Sequence, residues 1–285
     1  MLVWGLGDGA FMVKTVIAAS THNAKSPFNS WLKDLYNLGF RYLDVEFFRI
    51  IDEPYCFKDG VVKIGRLKTD YLKELKQWVD KGLMQVVSFE AGSLYVDDEE
   101  RLKRSLTRIR KVVAEAESFK CPIVSVTPTS FKKGISMDTV VCCCKKLMDE
   151  CSCYDVKLAL ENGEVGSIKI LRKPEDIDYV LRKVGSPRLG FCLDVAAAAT
   201  IDFDVSSYAS KLLDHILVIH MNDITKDLRF KNLIIGLGDL EFKPLLAMVK
   251  PRRIPLVIEI YSGYSPIDLY LCRRQIEKLV KQVDC

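Results

Sequence analysis

Short apolar, β-branched runs alternate with longer segments of helical periodicity along nearly the whole 285-residue chain. Glycine or proline stands at many of the junctions, as in "NLGF" and "FKCP". The runs predicted as strands are "VKTVIAAS", "YLDVEFF", "MQVVSF", "PIVSVTP", "VKLALE", "LGFCLD", "ILVIHM" and "PLVIEIY". Strands that alternate with helices usually pair in parallel, so the chain is predicted to be an α/β protein.

The intervening segments have the pattern of amphipathic helices, as in "DDEERLKRSLTRIRKVVAEAESF" and "EDIDYVLRKVG". The first has acidic residues in its first turn and apolar residues at helical spacing, namely Leu102, Leu106, Ile109 and Val113. Eight strand–helix pairs in a chain of this length predict one (β/α)8 TIM-barrel domain over residues 1–285. A doubly wound open sheet is the alternative, but no Gly-rich phosphate-binding sequence follows the first strand.

Composition is that of a soluble globular protein, with 49% hydrophobic and 28% charged residues. The net charge of +4 is spread along the chain and does not by itself indicate a nucleic-acid partner. No segment has the roughly 18 to 20 consecutive apolar residues of a membrane span, and the N-terminus lacks the basic start of a signal peptide. A cytoplasmic location is therefore expected. Residues 1–12 are interpreted as a loose N-terminal extension or an upstream start.

Five of the ten cysteines cluster in "VCCCKKLMDECSCYD", at Cys142, Cys143, Cys144, Cys151 and Cys153. Three adjacent cysteines on a helix point in three directions, so they cannot all bind one metal ion. The pattern favours a buried helix face that uses cysteine as a small apolar residue.

The last four predicted strands each end in a residue that binds divalent metals. "VKLAL" is followed by Glu161, "LGFCL" by Asp194, "ILVI" by His220 and "LVI" by Glu259. The carboxyl ends of barrel strands meet at one face, where barrel enzymes have their active sites. We therefore expect these four side chains to converge.

Three carboxylates placed together repel one another unless a cation compensates them. Three oxygen ligands and one imidazole favour one divalent ion, Mn²⁺ or Mg²⁺, with Co²⁺ and Zn²⁺ as alternatives. Taken singly, each acid is interpreted equally well as a helix cap or an ion-pair partner, and His220 as a core histidine. Their common position at the strand ends favours the metal site.

Over residues 13–282 the chain resembles the xylose isomerase-like sugar phosphate isomerase/epimerase superfamily. The motifs that carry the resemblance are "LGFRYLDVEFF", "LALENG", "LGFCLDVAAA", "VIHMND", "GLGDLEFKPLL" and "PLVIEIY". The resemblance implies that Glu161, Asp194, His220 and Glu259 hold the metal, and that Glu161 and Glu259 are also the acid/base pair. Metal coordination of a carbonyl and a neighbouring hydroxyl would acidify the C–H between them and stabilise an enediolate.

One departure from the family pattern concerns the sixth strand, where many members have Asp-Thr-Gly-His and this chain has Ala197 in place of the histidine. The loss argues against the apurinic endonuclease branch, which needs a histidine-rich cluster of three metals. It also leaves a wall of alanines with no hydrogen bonds for a polyol. Lys226 and Arg229 are candidate substrate-binding residues that suit a phosphate or carboxylate; the alternative is that both are solvated loop charges.

Three further residues, His22, Asn23 and Glu46, are assigned to the barrel mouth. His22 and Asn23, after the first strand, are expected to reach the substrate. Asp44 and Glu46 are expected not to face the interior together, and the family pattern places Glu46 nearer the substrate.

Asp223 is expected to orient His220 or to cap a turn. His215 lies at the start of its strand, where no function is expected. The glycines of "GLGD" (236–239) are interpreted as a tight turn, or alternatively as an anion-binding loop.

The predicted function is a divalent-metal-dependent isomerase or epimerase of a sugar or sugar phosphate. The alternatives are an inosose dehydratase-like lyase, an endonuclease IV-like apurinic endonuclease and a metal-binding barrel without catalysis. The expected partner is a small molecule; nucleic acid is disfavoured, no membrane is involved, and homo-oligomer formation is left open.

Overall fold

The computed structural model describes residues 15–25, 27–46, 55–57, 60–62 and 70–283. The predicted N-terminal extension, residues 1–12, lies outside this range. In chain order the strands are β1 (Ile17–Ser20), β2 (Tyr42–Glu46), β3 (Tyr55–Phe57), β4 (Gly60–Val62), β5 (Gln85–Tyr95), β6 (Ile123–Thr129), β7 (Lys157–Glu161), β8 (Leu189–Asp194), β9 (Ile216–Met221) and β10 (Leu256–Ile258). β3 and β4 form a separate antiparallel pair, and the other eight strands form a closed parallel barrel. The predicted (β/α)8 TIM barrel is confirmed.

Helices connect the barrel strands and cover them on the outside. They are α1 (Phe28–Asn37), α2 (Asp70–Asp80), α3 (Glu99–Ser118), α4 (Met137–Glu150), α5 (Pro174–Val184), α6 (Val195–Ala199), α7 (Val205–Ser210), α8 (Lys243–Val249) and α9 (Pro266–Gln282). None of the helices in the described part of the chain is long and apolar enough to cross a membrane.

The helix boundaries follow from local chemistry. α3 begins where the Asp98 side chain accepts a hydrogen bond from the Arg101 amide, and all four apolar residues predicted for its inner face are buried. α5 begins with Pro174 and ends at Gly185, whose φ of 67° is a left-handed conformation that glycine adopts without strain.

The inside of the barrel is filled by small apolar side chains. They are Ala18, Val87, Ile123, Ala159, Cys192, Val218 and Val257. Because residues two apart on a regular strand lie on the same face, the residue two positions beyond the inward-facing one in β7, β8, β9 and β10 also points inward. Ala159 is followed in this way by Glu161, Cys192 by Asp194, Val218 by His220 and Val257 by Glu259. The strand-end residues therefore lie directly above a plug of buried apolar side chains.

Three cysteines of the cluster, Cys143, Cys144 and Cys151, are buried, as predicted for an apolar helix face. Cys142 and Cys153 are exposed and do not belong to that face. Burial raises the pKa of the Cys151 thiol to about 11, so this group stays neutral near pH 7.

Candidate metal centre

The structure brings together the four side chains predicted at the strand ends. One oxygen from each of Glu161, Asp194 and Glu259 lies within 4.8 Å of the others. The imidazole Nδ1 of His220 is 2.7 Å from Oε2 of Glu259 and 3.3 Å from Oε1 of Glu161. The parallel register explains this, because Asp194 pairs with His220, which in turn pairs with Val257, two residues before Glu259.

Several buried polar atoms of this group have no hydrogen-bond partner. They are both ring nitrogens of His220 and Oε2 of Glu259. The close approach of Nδ1 to that oxygen does not have hydrogen-bond geometry. Buried polar atoms are almost always hydrogen-bonded, so a cluster of unpaired ones needs a missing partner. Three carboxylates and an imidazole around one point fit a divalent cation.

The four groups have shifted protonation equilibria in the absence of a cation. Burial raises the pKa of Asp194 to about 6. Burial also opposes ionisation of Glu259, but the adjacent His220 lowers the pKa of that carboxyl below its usual value. Burial opposes the charged form of His220 as well, yet Cys192 and Glu259 raise its pKa well above the usual value. The site is therefore a strongly coupled acidic cluster that a cation would stabilise.

Asp194 is fixed by two asparagines that directly follow neighbouring strands. Oδ1 of Asn162 accepts a hydrogen bond from the Asp194 amide at 2.8 Å, and its Nδ2 donates to the Asp194 carbonyl at 3.0 Å. Nδ2 of Asn222 donates to Oδ1 of Asp194 at 3.2 Å. The same Oδ1 caps α6 by accepting from the Ala197 amide at 3.1 Å. Asp194 is thus both a helix cap and a member of the cluster, with Oδ2 left for a ligand.

Glu161 is held by two residues that the sequence reasoning missed. Its Oε2 accepts hydrogen bonds from Oγ1 of Thr127 at 2.5 Å and from Nζ of Lys169 at 3.1 Å. Burial opposes ionisation of Glu161, but Lys169 and His220 lower the pKa of the carboxyl below its usual value. Lys169 lies in the loop after β7, where no strand pattern marked it. Thr127 is a polar residue near the end of β6, a signal that was available.

Asp44 and Glu90 are two more buried carboxyls beside His220. The expectation that Asp44 and Glu46 do not face inward together is wrong: both are buried, and each has a ligand atom within 4.8 Å of the site residues. Residues two apart on a strand lie on the same face, so Asp44 and Glu46 share the face of Tyr42. Tyr42 packs against the apolar plug inside the barrel, which shows that this face points inward. Asp44 accepts hydrogen bonds from Ser20 and Ser88.

The second of these carboxyls, Glu90, pairs with Glu46 across β2 and β5 and was also missed. In the sequence Glu90 directly follows the predicted strand "MQVVSF", as Glu161 follows "VKLAL", although in the structure β5 continues beyond it to Tyr95. Burial raises the pKa of Glu90 well above its usual value, so this carboxyl favours the protonated form. Burial raises the pKa of Asp44 to about 6, so Asp44 takes up a proton as the pH falls through that value.

Two predicted residues, His22 and Asn23, directly follow β1, and their contact with a substrate stays a prediction. Nδ1 of His22 lies 2.9 Å from Oε1 of Glu46, and these two residues approach Glu259 to within 4.8 Å. Asn23 is fully buried and its Nδ2 donates to the Tyr261 carbonyl at 2.8 Å, so it joins the loops after β1 and β10.

The loop after β9 contains the other predicted residues. Lys226 and Arg229 are both exposed, and Arg229 pairs with Asp227, as expected of solvated loop charges. Their substrate-binding role stays a prediction. Ala197 is buried, and His215 directly precedes β9 at the opposite end of the strand from the site.

Asp223 has the second of its two predicted roles, because its carboxylate ties down a turn. It accepts hydrogen bonds from the backbone amides of Ile224, Gly236, Gly238 and Leu240. The two glycine amides are therefore already occupied, which favours the turn interpretation of "GLGD" over the anion-binding one.

Comparisons with known proteins agree with this geometry. A family described as xylose isomerase-like TIM barrel matches residues 32–278. A probable endonuclease 4 of Mycoplasmopsis pulmonis is 28% identical over 138 residues, which are 44% of this chain and 50% of that protein. The chain thus spans about half the length of the curated relatives it matches.

Two solved structures share the fold. A D-tagatose 3-epimerase-like protein superposes with a TM-score of 0.74 at 17% identity and covers 95% of this chain and 98% of its own. The IOLI protein with a binding zinc atom gives a TM-score of 0.71 at 14% identity over 95% of this chain and 99% of its own. Identities this low show the fold alone. With the family match extending over most of its length, the chain belongs to the xylose isomerase-like TIM-barrel family.

Proposed function

We propose that this protein is a divalent-metal-dependent isomerase or epimerase of a sugar or sugar phosphate. The observation that carries the proposal is the cluster of Glu161, Asp194, His220 and Glu259 at the mouth of the barrel, in which buried atoms of His220 and Glu259 have no hydrogen-bond partner. A site with three carboxylates and one imidazole suits Mn²⁺ or Mg²⁺, with Co²⁺ and Zn²⁺ as alternatives. The structurally similar IOLI protein has a binding zinc atom, which supports a metal-dependent function for a barrel of this kind.

When bound, the cation would polarise a substrate carbonyl and its neighbouring hydroxyl, which acidifies the C–H between them. The chain itself then supplies the proton transfers. Glu259 is the carboxyl assigned to accept the proton: its Oε2 lies 2.7 Å from Nδ1 of His220, which lowers the pKa of the carboxyl and favours its ionised form. Glu161 is the second carboxyl of the pair, held in place by Thr127 and Lys169. Two carboxyls at different positions around one carbon allow a proton to leave one face and return to the other.

The environment of the site favours this chemistry. The apolar plug below the carboxylates keeps water out and strengthens the electrostatic interactions between the groups above it. Asn162 and Asn222 keep Asp194 in one orientation, which reduces the reorganisation needed during the reaction.

Metal binding and proton exchange test the proposal separately. We expect the purified protein to bind one Mn²⁺ per chain in a calorimetric titration. With Mn²⁺ present, D-tagatose or L-ribulose incubated in deuterated water should gain deuterium at the carbon next to the carbonyl, detected by NMR. Absence of Mn²⁺ binding would refute the proposed metal site. Binding without exchange on a panel of ketoses, aldoses and their phosphates would leave a metal-binding barrel without this activity.

A second candidate is an apurinic endonuclease, favoured by the curated relatives named probable endonuclease 4. The chain has only three histidines, and His215 lies at the far end of its strand. A histidine-rich cluster of several metals therefore cannot be built. Incubation of a duplex containing one abasic site with the protein and Mn²⁺ or Zn²⁺ tests this candidate. We expect no nicking; cleavage at the abasic site would replace the isomerase proposal.

A further inference from the structure

Lys169 is placed at the metal centre by a loop that is fastened along its length. The loop after β7 runs beside the end of β6, where the Ser130 amide donates to the Ile168 carbonyl at 2.9 Å and the Ile170 amide to the Pro128 carbonyl at 3.1 Å. Thr129 forms a β-bridge with Lys169 itself. A side chain at Gly163 would bring its Cβ to 2.3 Å from the Cβ of Lys169, so glycine is required there for the close approach. The lysine is therefore held in place by its backbone.

The ammonium group of Lys169 has hydrogen-bonding capacity that the protein does not use. An ammonium group has three N–H donors, and within the described structure Nζ donates to Oε2 of Glu161 alone. The side chain is 34% exposed, so it is not sealed off from solvent. Oε2 of Glu161 also has the Thr127 hydroxyl, which means that Lys169 is not needed to satisfy that oxygen.

The charge of the site explains why a cation beside Glu161 is useful. When ionised, Glu161, Asp194 and Glu259 carry three negative charges, and a divalent ion supplies two positive ones. The loaded centre would then keep one negative charge and repel an anionic ligand. The positive charge of Lys169 brings the sum for the three carboxylates, the divalent ion and the lysine to zero. Because Lys169 lies close to Glu161 in a partly buried site, its attraction for an anionic ligand there is only weakly screened.

We propose that Lys169 is a substrate-binding residue that donates a hydrogen bond to a negatively charged oxygen of the ligand beside Glu161. This inference rests on the proposed metal-dependent function and extends it, because it assigns to Lys169 the anion recognition that the sequence had suggested for Lys226 and Arg229. This oxygen has two possible sources. It belongs either to a carboxylate or enediolate of the ligand or to a phosphate group. Both share the chemistry that an ammonium group recognises.

Two anions serve as probes with the Mn²⁺-loaded protein. Oxalate is a planar dianion with the two adjacent oxygens of an enediolate, and inorganic phosphate represents a phosphorylated substrate. Their affinities are measured by calorimetry and by the change in water-proton relaxation of bound Mn²⁺. Loss of a charge-assisted hydrogen bond in Lys169→Met should weaken binding of the recognised anion by about 10- to 100-fold. The anion that loses more affinity identifies the source of the oxygen.

Three variants separate direct contact from an effect through Glu161. Lys169→Arg keeps the charge and should recover part of the lost affinity. Lys133→Met removes an exposed cation from the neighbouring loop after β6 and should change anion affinity by less than about twofold, since solvent screens it. Thr127→Val removes the other hydrogen bond to Oε2 of Glu161 and keeps the ammonium group, so anion affinity should stay within about threefold if Lys169 contacts the anion itself.

The outcomes distinguish this inference from the proposed function. If Lys169→Met leaves the affinities for oxalate and phosphate unchanged while Mn²⁺ binding and deuterium exchange persist, the role of Lys169 is refuted and the proposed function stands. An equal loss in Thr127→Val refutes direct contact, because Lys169 would then act by positioning Glu161. A wild-type protein that binds no Mn²⁺ refutes both.

Discussion

Replacing Asp223 by asparagine tests how the loop after β9 is held. The two carboxylate oxygens accept four backbone amides: Oδ2 takes Gly236 at 2.8 Å and Gly238 at 3.0 Å, and Oδ1 takes Ile224 at 2.9 Å and Leu240 at 3.3 Å. Asparagine has one oxygen and one NH₂ group, so whichever way it is oriented two amides face another donor. Hydrogen bonds to a charged acceptor contribute roughly 1.5–3 kcal/mol each. Loss of two in this fully buried setting predicts a decrease of about 3–6 kcal/mol in the free energy of unfolding.

Urea unfolding followed by circular dichroism measures this change, and the melting temperature should fall by roughly 6–15 °C. Asp214→Asn is the matched control. Its side chain is 82% exposed and pairs with Arg252 at the surface, where an ion pair contributes less than about 1 kcal/mol. A loss below about 1 kcal/mol in Asp223→Asn would refute the fourfold contact. A tenfold weaker Mn²⁺ affinity in the folded variant would instead show that Asp223 orients His220.

Three other results are expected. Glu259→Gln should remove deuterium exchange and weaken Mn²⁺ binding at least about tenfold while the far-ultraviolet spectrum stays native, because the amide oxygen is neutral and cannot accept the proton; retained exchange would exclude this residue from the chemistry. Mn²⁺ affinity should rise as the pH increases through about 6 and beyond. Burial raises the pKa of Asp194 to about 6, and the pKa of His220 is also raised, so at lower pH protons on these two groups compete with the ion. A flat calorimetric profile between roughly pH 5.5 and 7.5 would contradict this. Gly163→Ala should cost about 1–3 kcal/mol of stability and weaken anion binding as Lys169→Met does, because the new Cβ displaces the lysine backbone; unchanged oxalate and phosphate affinities would show that the loop adjusts.

The strand-end carboxylates and His220 were predictable because two simple periods determine where they point. Apolar runs of the right length give the strands, and parallel strands in a closed barrel bring their carboxyl ends to one face. Within each strand, the two-residue period puts Glu161 above Ala159 and His220 above Val218. The same rule places Asp44 and Glu46 on one face, and its incorrect application gave the one wrong expectation at the site.

Residues outside this periodic pattern were found only in three dimensions. Lys169 and Lys226 are both lysines in loops after barrel strands, yet one contacts Glu161 and the other lies exposed beside its own loop. Which of them reaches the centre depends on backbone hydrogen bonds between the loop and β6, which join residues about forty positions apart in sequence. The fixing of Asp194 by Asn162 and Asn222 likewise depends on which strands are neighbours in the closed barrel.

The sequence by itself therefore determined the barrel and the four residues at the tips of its last strands, because periodicity and strand order are local properties of the chain. Tertiary structure alone decided which loop cation joins them, which carboxyls share the buried cluster with His220, and which atoms are left unpaired. These depend on distances between segments remote in sequence, and such distances are fixed only when the eight strands close and the loops pack over their ends.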